Sequence, residues 1–165
     1  MATTLAASAV DTAHVSNRRK VQFRSHDEVL ADCERLAAGG YQQLGNWSLG
    51  KIASHLAAAM ATALDGFPGR VSWPMRTVAR LVFKNKAIAG PMRPGFKMPQ
   101  KYAVVLMPDT ANDAAGIDAL RTVVRRWKND PQRRPHGFFG KLTPEEWDKL
   151  MLNHSAMHMS FLLPK

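Results

Sequence analysis

The sequence predicts an all-α fold: a bundle of four long helices, with a shorter extra helix and a long proline-rich connection. Three observations predict it. Apolar residues recur at three- and four-residue spacing in several separate stretches. Three of those stretches open on capping residues, Ser25, Ser48 and Thr143. No series of alternating short segments offers the strands of a sheet, and no internal repeat is present.

The first helix begins at Ser25-His26-Asp27-Glu28, where Ser25 and Glu28 stand at capping-box spacing. Val29, Leu30, Cys33, Leu36 and Ala37 fall on one face, and Gly39-Gly40 stops the helix. Cys33 lies in that apolar stripe and reads as a small buried hydrophobe, not a reactive thiol. The second helix runs from Ser48 to Leu64 and ends at Asp65-Gly66-Phe67-Pro68. Ala57, Ala58, Ala59, Ala61 and Ala63 make it a strong helix former that neighbours can approach closely. Ser72 and Pro74 open a third, through about Lys86, with Arg76, Arg80 and Lys84 four apart, opposite Val78, Leu81 and Val82.

Residues 87–111 read as a long connection broken by Pro91, Pro94, Gly95, Pro99 and Pro108, with Tyr102–Leu106 as a short extended piece. A fourth helix, from about Asn112 to Lys128, turns Ile117, Leu120 and Val124 inward. After a second loop at 131–140, Thr143-Pro144-Glu145-Glu146 starts the last helix, which should run to about Leu163.

The 165 residues suit one domain. With 45% apolar and 22% charged residues, the composition excludes disorder over the whole length. No apolar run reaches the ~18–20 residues of a spanning helix, so no membrane partner is expected. One cysteine excludes an intrachain disulfide framework and suits a reducing, cytoplasmic setting. Residues 1–17 read as a flexible leader and 18–165 as the bundle domain. Arg18-Arg19-Lys20 lacks the following apolar stretch of an export signal. The excess of 23 Lys and Arg over 13 Asp and Glu gives a net charge of +10 and a field that attracts phosphate-bearing or acidic partners.

The sequence has six histidines, and their positions divide them. His14, His26 and His136 read as solvated. His154 and His158 are four apart, one turn from each other, on the face of the last helix that also holds Trp147, Leu150, Met151, Phe161 and Leu162. Imidazoles placed there must find partners for their ring nitrogens, and a shared metal ion is one common solution. His55 faces inward from the second helix, near Ile52, Leu56 and Ala59. Taken singly, each of these has a bland reading as a satisfied core histidine. Together on two facing helices they form a candidate metal site.

Asn46-Trp47-Ser48 leading into Ile52-Ala53-Ser54-His55-Leu56, followed by Asn153-His154-Ser155-Ala156-Met157-His158, resembles the DinB/YfiT-like family of metalloenzymes. The stretch from Phe138 through Leu163 is similar to one uncharacterised bacterial branch of it, a domain of unknown function. The resemblance covers residues 18–164. It implies a four-helix bundle of up-down-down-up topology in which His55, His154 and His158 bind a divalent metal, nickel or zinc. It also implies thiol-dependent transfer or metal-dependent hydrolysis, and a homodimer. The sequence departs from the family in residues 66–108, which hold Arg70, Arg76, Arg80, Lys84, Lys86, Arg93, Lys97 and Lys101 with no acid.

Three histidines leave coordination positions open, as catalytic sites do. No carboxylate stands near them in the sequence to act as a general base, which favours thiol activation over hydrolysis. Lys51, one turn before His55, is placed to orient an anionic group, so the expected substrate is a small thiol or anionic compound. The basic stretch 66–108 reads as a rim over the open end of the pocket. The competing reading is a non-catalytic basic bundle that binds a nucleic acid or an acidic protein.

Overall fold

The computed structural model describes residues 9–69, 71–95, 99–107 and 112–165. The chain is mostly helical, with one small two-stranded sheet. Helices α1 (His26–Gly39), α2 (Leu49–Asp65), α3 (Trp73–Val78), α4 (Lys84–Ala89), α5 (Gln100–Leu106), α6 (Asp113–Asn129) and α7 (Pro144–Met159) follow in order. A π-helical turn, Ala79–Phe83, joins α3 to α4, so this helical stretch reaches Ala89, beyond the expected Lys86.

The four long helices α1, α2, α6 and α7 share one core. Val29, Cys33 and Leu36 enter it from α1, Ile52, Leu56 and Met60 from α2, Leu120 and Val124 from α6, and Trp147 and Leu150 from α7. Each fully buried side chain of this size contributes about 1.5–3 kcal/mol relative to exposure. Ala37, placed by spacing on the inner face of α1, is exposed. The caps form where expected. Ser25, Ser48 and Asn112 each accept a backbone N–H three residues on, and Thr143 and Glu146 close a full capping box. Glu28 instead accepts from the N–H of Arg24, one residue before the cap.

Close contact between α2 and α6 depends on two glycines. A Cβ on Gly50 would run into the backbone of Asn112, and one on Gly116 into the backbone of Gly50. The same crossing satisfies the start of α2. The Leu49 N–H donates to the Tyr41 hydroxyl (3.1 Å), which donates to Asp113, and the Gly50 N–H donates to Asp113 (2.7 Å).

Three expectations fail. Tyr102–Leu106 is helical, not extended: as α5 it buries Tyr102, Ala103 and Leu106, whereas a lone strand would have no partner for its backbone. The last helix stops at Met159, not Leu163. Beyond it, β2 (Leu162–Pro164) pairs antiparallel with β1 (Tyr41–Gln43), a sheet that the sequence reading did not foresee. The turn before β2 is held from outside: Arg18 donates to the Ser160 hydroxyl (2.8 Å) and the Arg19 N–H to the Ser160 carbonyl (3.2 Å). Leaving the helix there lets Leu162 enter the core.

The expected leader lies partly outside the described residues. Within them, Val10 and Asn46 exchange two hydrogen bonds, at 2.7 and 2.8 Å. No helix among the described residues is long and apolar enough to cross a membrane.

Candidate metal centre

Helix α2 carries His55 and α7 carries His154 and His158. The three rings converge, with His55 Nε2 3.1 Å from His154 Nε2 and His158 Nε2 3.0 Å from the same atom. One nitrogen from each ring lies within 4.8 Å of the other two. His55 is buried, while His154 and His158 are intermediate in exposure, so the cluster sits at the edge of the core.

The tautomers decide what this cluster can do. His55 Nδ1 lies 2.6 Å from the carbonyl oxygen of Leu106, at the end of α5. A carbonyl only accepts, so Nδ1 carries the proton and Nε2 presents a lone pair. A neutral His154 has at Nε2 either a proton or a lone pair. With a lone pair it faces that of His55 across 3.1 Å; with a proton it has one hydrogen to serve two neighbours. No neutral arrangement gives both close contacts a hydrogen bond of their own. A cation resolves the conflict by accepting all three lone pairs. Two imidazole nitrogens at ~2.0–2.1 Å from one ion stand ~2.9 Å apart at a right angle and ~3.4 Å apart at the tetrahedral angle. The observed 3.0 and 3.1 Å lie between those limits. With the third pair also within 4.8 Å, the three residues could hold a metal ion.

Electrostatics favour the neutral, ligating form. Burial pushes the His154 imidazole down to about 3, with His55 and His136 adding to the shift. Burial also holds His158 well below its ordinary value, helped by His154 and His55. His55 is lowered by burial, partly offset by its bond to the Leu106 carbonyl. Protonation, which would destroy the site, is disfavoured at all three. No cysteine or carboxylate joins the group among the described residues.

Trp47 sits against two of the three rings. Its indole stacks on His158 (centroids 5.1 Å apart, planes at 6°) and stands edge-on to His55 at 5.0 Å. The small sheet places it there: β1–β2 pairing and the Leu44 N–H to Phe161 carbonyl bond (2.9 Å) tie residues 41–44 to the chain leaving α7. Lys51 holds its ammonium 5.8 Å from the Trp47 ring centroid, at the margin of the site. Asn153, next to His154, donates to the carbonyls of Ala87 and Ile88 and fastens α4 to α7.

Sequence reasoning named Trp47 and Asn153 only as motif residues, and missed Leu106 entirely. A backbone carbonyl has no side-chain signature, and the sequence reads Leu106 as the end of a short extended piece. Two of the other histidines are not solvated. His26 is buried, with Nε2 3.2 Å from Asp148 and its ring edge-on to Trp127. His136 Nδ1 accepts the backbone N–H groups of Phe138 and Phe139, both at 3.1 Å, and its ring stacks on Phe139. Spacing placed these two outside the core because it sees one element at a time: His26 packs on Trp127 of α6 and Asp148 of α7, and His136 on Phe139 of its own loop and Trp147 of α7. His14 is exposed and pairs with Asp11. Cys33 is buried with its thiol pushed up to about 12 by burial, as expected of a hydrophobe.

Of the basic rim, Arg70, Lys97 and the Lys101 side chain lie outside the described residues. Lys84 pairs with Glu146 of α7 (2.8 Å), while Arg76, Arg80, Lys86 and Arg93 are exposed.

The fold and site define a mostly helical domain with a three-histidine cluster able to hold a metal ion. A family described as "Protein of unknown function (DUF1569)" matches residues 15–165, and the chain belongs to it. No curated protein and no solved structure gives a significant match.

Proposed function

We propose that this protein is a metal-dependent enzyme whose His55, His154 and His158 hold one divalent ion, nickel or zinc, and which carries out thiol-dependent group transfer or hydrolysis. The DinB-like four-helix bundle is the architecture this reading assigns to it. The single observation behind the proposal is the meeting of three Nε2 atoms with no complete set of hydrogen bonds among them. An ion held by three neutral nitrogens keeps positions open, where it would supply Lewis acidity to a thiol or a water.

The chain's own residues divide the remaining work. The Leu106 carbonyl fixes the His55 tautomer, as outer partners of metal-bound histidines do. Trp47 fixes the ring planes of His55 and His158 and shields one side. Lys51 attracts an anionic group to the margin. Among the described residues no carboxylate joins the cluster, which supports thiol transfer over hydrolysis, because an attacking water would have no base there to take its proton.

Metal analysis of protein purified without chelator or histidine tag should find one divalent ion per chain. Loading with cobalt and adding a small thiol should produce a sulfur-to-metal charge-transfer band. A chain that neither retains nor takes up a divalent ion overturns the metal reading. A loaded protein whose spectrum ignores thiols overturns the thiol-transfer reading and leaves hydrolysis.

A further inference from the structure

The stretch from Trp73 to Ala89 exposes most of its cations and most of its large apolar residues. Its cationic positions Arg76, Arg80 and Lys84 recur every four residues, and Lys84 reaches inward to Glu146 on α7. The large apolar residues are in water as well: Trp73 is 77% exposed, Leu81 76%, Val78 56%, Phe83 53%, Val82 47% and Met75 40%. Lone exposed hydrophobics are ordinary, but six within eleven consecutive positions of one helical stretch mark an interaction surface. The stretch is also anchored at one end only. Asn153 and Glu146 hold α4, whereas no such bond to α7 is made by α3 or the π turn among the described residues, and none of the three segments buries a residue fully.

Charge selects the occupant. Between Asp65 and Asp109 the sequence has no acidic residue. Arg76, Arg80, Lys86 and Arg93 are exposed and none forms an ion pair among the described residues. A second copy docked through this face about a two-fold axis would bring two such unneutralised sets together. A nucleic acid would neutralise the cations but leave aliphatic side chains such as Leu81, Val78 and Val82 unburied. An anionic lipid surface meets both needs: apolar residues enter the headgroup–acyl boundary while flanking Arg and Lys meet phosphates. Trp73 at the start of the stretch suits that boundary, where one end of an indole is apolar and the other wet.

We infer that residues 73–89 form an in-plane docking helix for anionic membrane surfaces, carrying the domain to them as a peripheral protein. The expectation of no membrane partner rested on the absence of a spanning segment, and a helix lying in the interface needs none. The inference stands apart from the metal reading, since the two are measured separately.

The test is co-sedimentation of the full chain with vesicles of phosphatidylcholine containing about one-third phosphatidylglycerol, against pure phosphatidylcholine. The wild type should partition at least tenfold more strongly onto the anionic vesicles, and should lose most of that binding when salt is raised, because screening weakens the attraction. Leu81→Glu should reduce partitioning at least tenfold, and the double variant Arg76→Glu, Arg80→Glu by a similar factor. All these side chains are exposed, so melting temperature and metal content should stay at wild-type values; they serve as the check on folding. Absence of binding by the wild type overturns the inference. So does binding indifferent to lipid charge. A dimer in solution that Leu81→Glu converts to monomer, without vesicle binding, assigns the face to a second copy instead.

Discussion

Two regions of this molecule pair buried or partly buried histidines with a tryptophan and a cation, and they differ in how their nitrogens are spent. At one, His55, His154 and His158 gather beside Trp47 and Lys51. At the other, His26 packs on Trp127, over which Arg133 lies at 4.1 Å. The second region pairs most of its donors and acceptors. Asp148 accepts from Trp127 (2.7 Å) and bonds His26, while Arg133 donates to the carbonyls of Trp127, Asp130 and Gln132. Nearby, His136 accepts two backbone N–H groups. Among the described residues, two buried polar atoms of this region have no hydrogen-bond partner, His26 Nδ1 and Arg133 Nε, and they belong to side chains that each make other bonds. In the first region, three ring nitrogens meet without a complete set of hydrogen bonds, and among the described residues Lys51 has no carboxylate or carbonyl partner. Burial alone does not make an imidazole a ligand; what its free nitrogen faces does.

The sharpest way to break this comparison is to remove one histidine from the first region. His154→Ala should lower affinity for a divalent ion by more than a hundredfold while the fold persists, because stability resides in the shared apolar core. The cost in stability should be about 1–3 kcal/mol, for a small cavity and two imidazoles still seeking partners. Calorimetric titration with zinc and a thermal melt together read both numbers. Unchanged affinity would show that the three nitrogens do not act as one site.

The metal should also register as stability in one region only. An ion at a hundred times its dissociation constant stabilises the native state by ~2.7 kcal/mol, which for a chain of this size raises the melting temperature by roughly 5–10 °C. Chelator should remove that increment from the wild type and change nothing in His154→Ala. A wild type that chelator unfolds outright would make the ion structural.

Acid should find His136. Burial lowers this imidazole to about 4, and its Nδ1 must stay unprotonated to accept from Phe138 and Phe139. The folded value lies below the unfolded ~6.5, so the unfolded chain takes up the proton first as pH falls. Stability is therefore full above pH ~6.5 and declines down to pH ~4, by up to about 3 kcal/mol from this group. Asn at this position retains an acceptor oxygen without titrating. His136→Asn should flatten that part of the pH–stability curve in denaturant titrations on metal-loaded protein. An unchanged slope would place the acid sensitivity elsewhere.

How much of this was visible in the sequence follows from which interactions have a periodic signature. The four long helices, their caps and the inward faces of His55, His154 and His158 all follow from 3.6-residue spacing and local hydrogen-bonding side chains. What spacing cannot carry is a partner from elsewhere in the chain. The β1–β2 pair joins residues more than a hundred apart, and Leu106 offers a backbone atom to His55 across 51 residues. The π turn and the outward apolar face of residues 73–83 were equally hidden. The sequence pattern of alternating Arg and aliphatic residues reads the same whichever side meets water.

The smallest effect separates the two tryptophan-bound cations. Arg133 is spent on three backbone carbonyls, so Arg133→Met should cost about 1–3 kcal/mol of stability, those carbonyls having lost their donor, and leave metal affinity unchanged. Lys51→Met keeps an apolar stem over Trp47 and removes only the charge. Stability should stay within about 0.5 kcal/mol, since the methionine keeps the apolar stem and Lys51 forms no ion pair among the described residues. Metal affinity should rise slightly, by no more than about threefold, since a cation near the ligands opposes a second cation. Binding of an anionic thiol to the metal-loaded protein should weaken by about three- to tenfold, and that of a neutral thiol should not change, consistent with the loss of one partly screened charge. The neutral thiol is the deciding arm. If both thiols weaken together, Lys51 acts by shaping the site through Trp47. If neither does, its position at the margin has no part in recognising the substrate, and the ammonium is as structural as the guanidinium on Trp127.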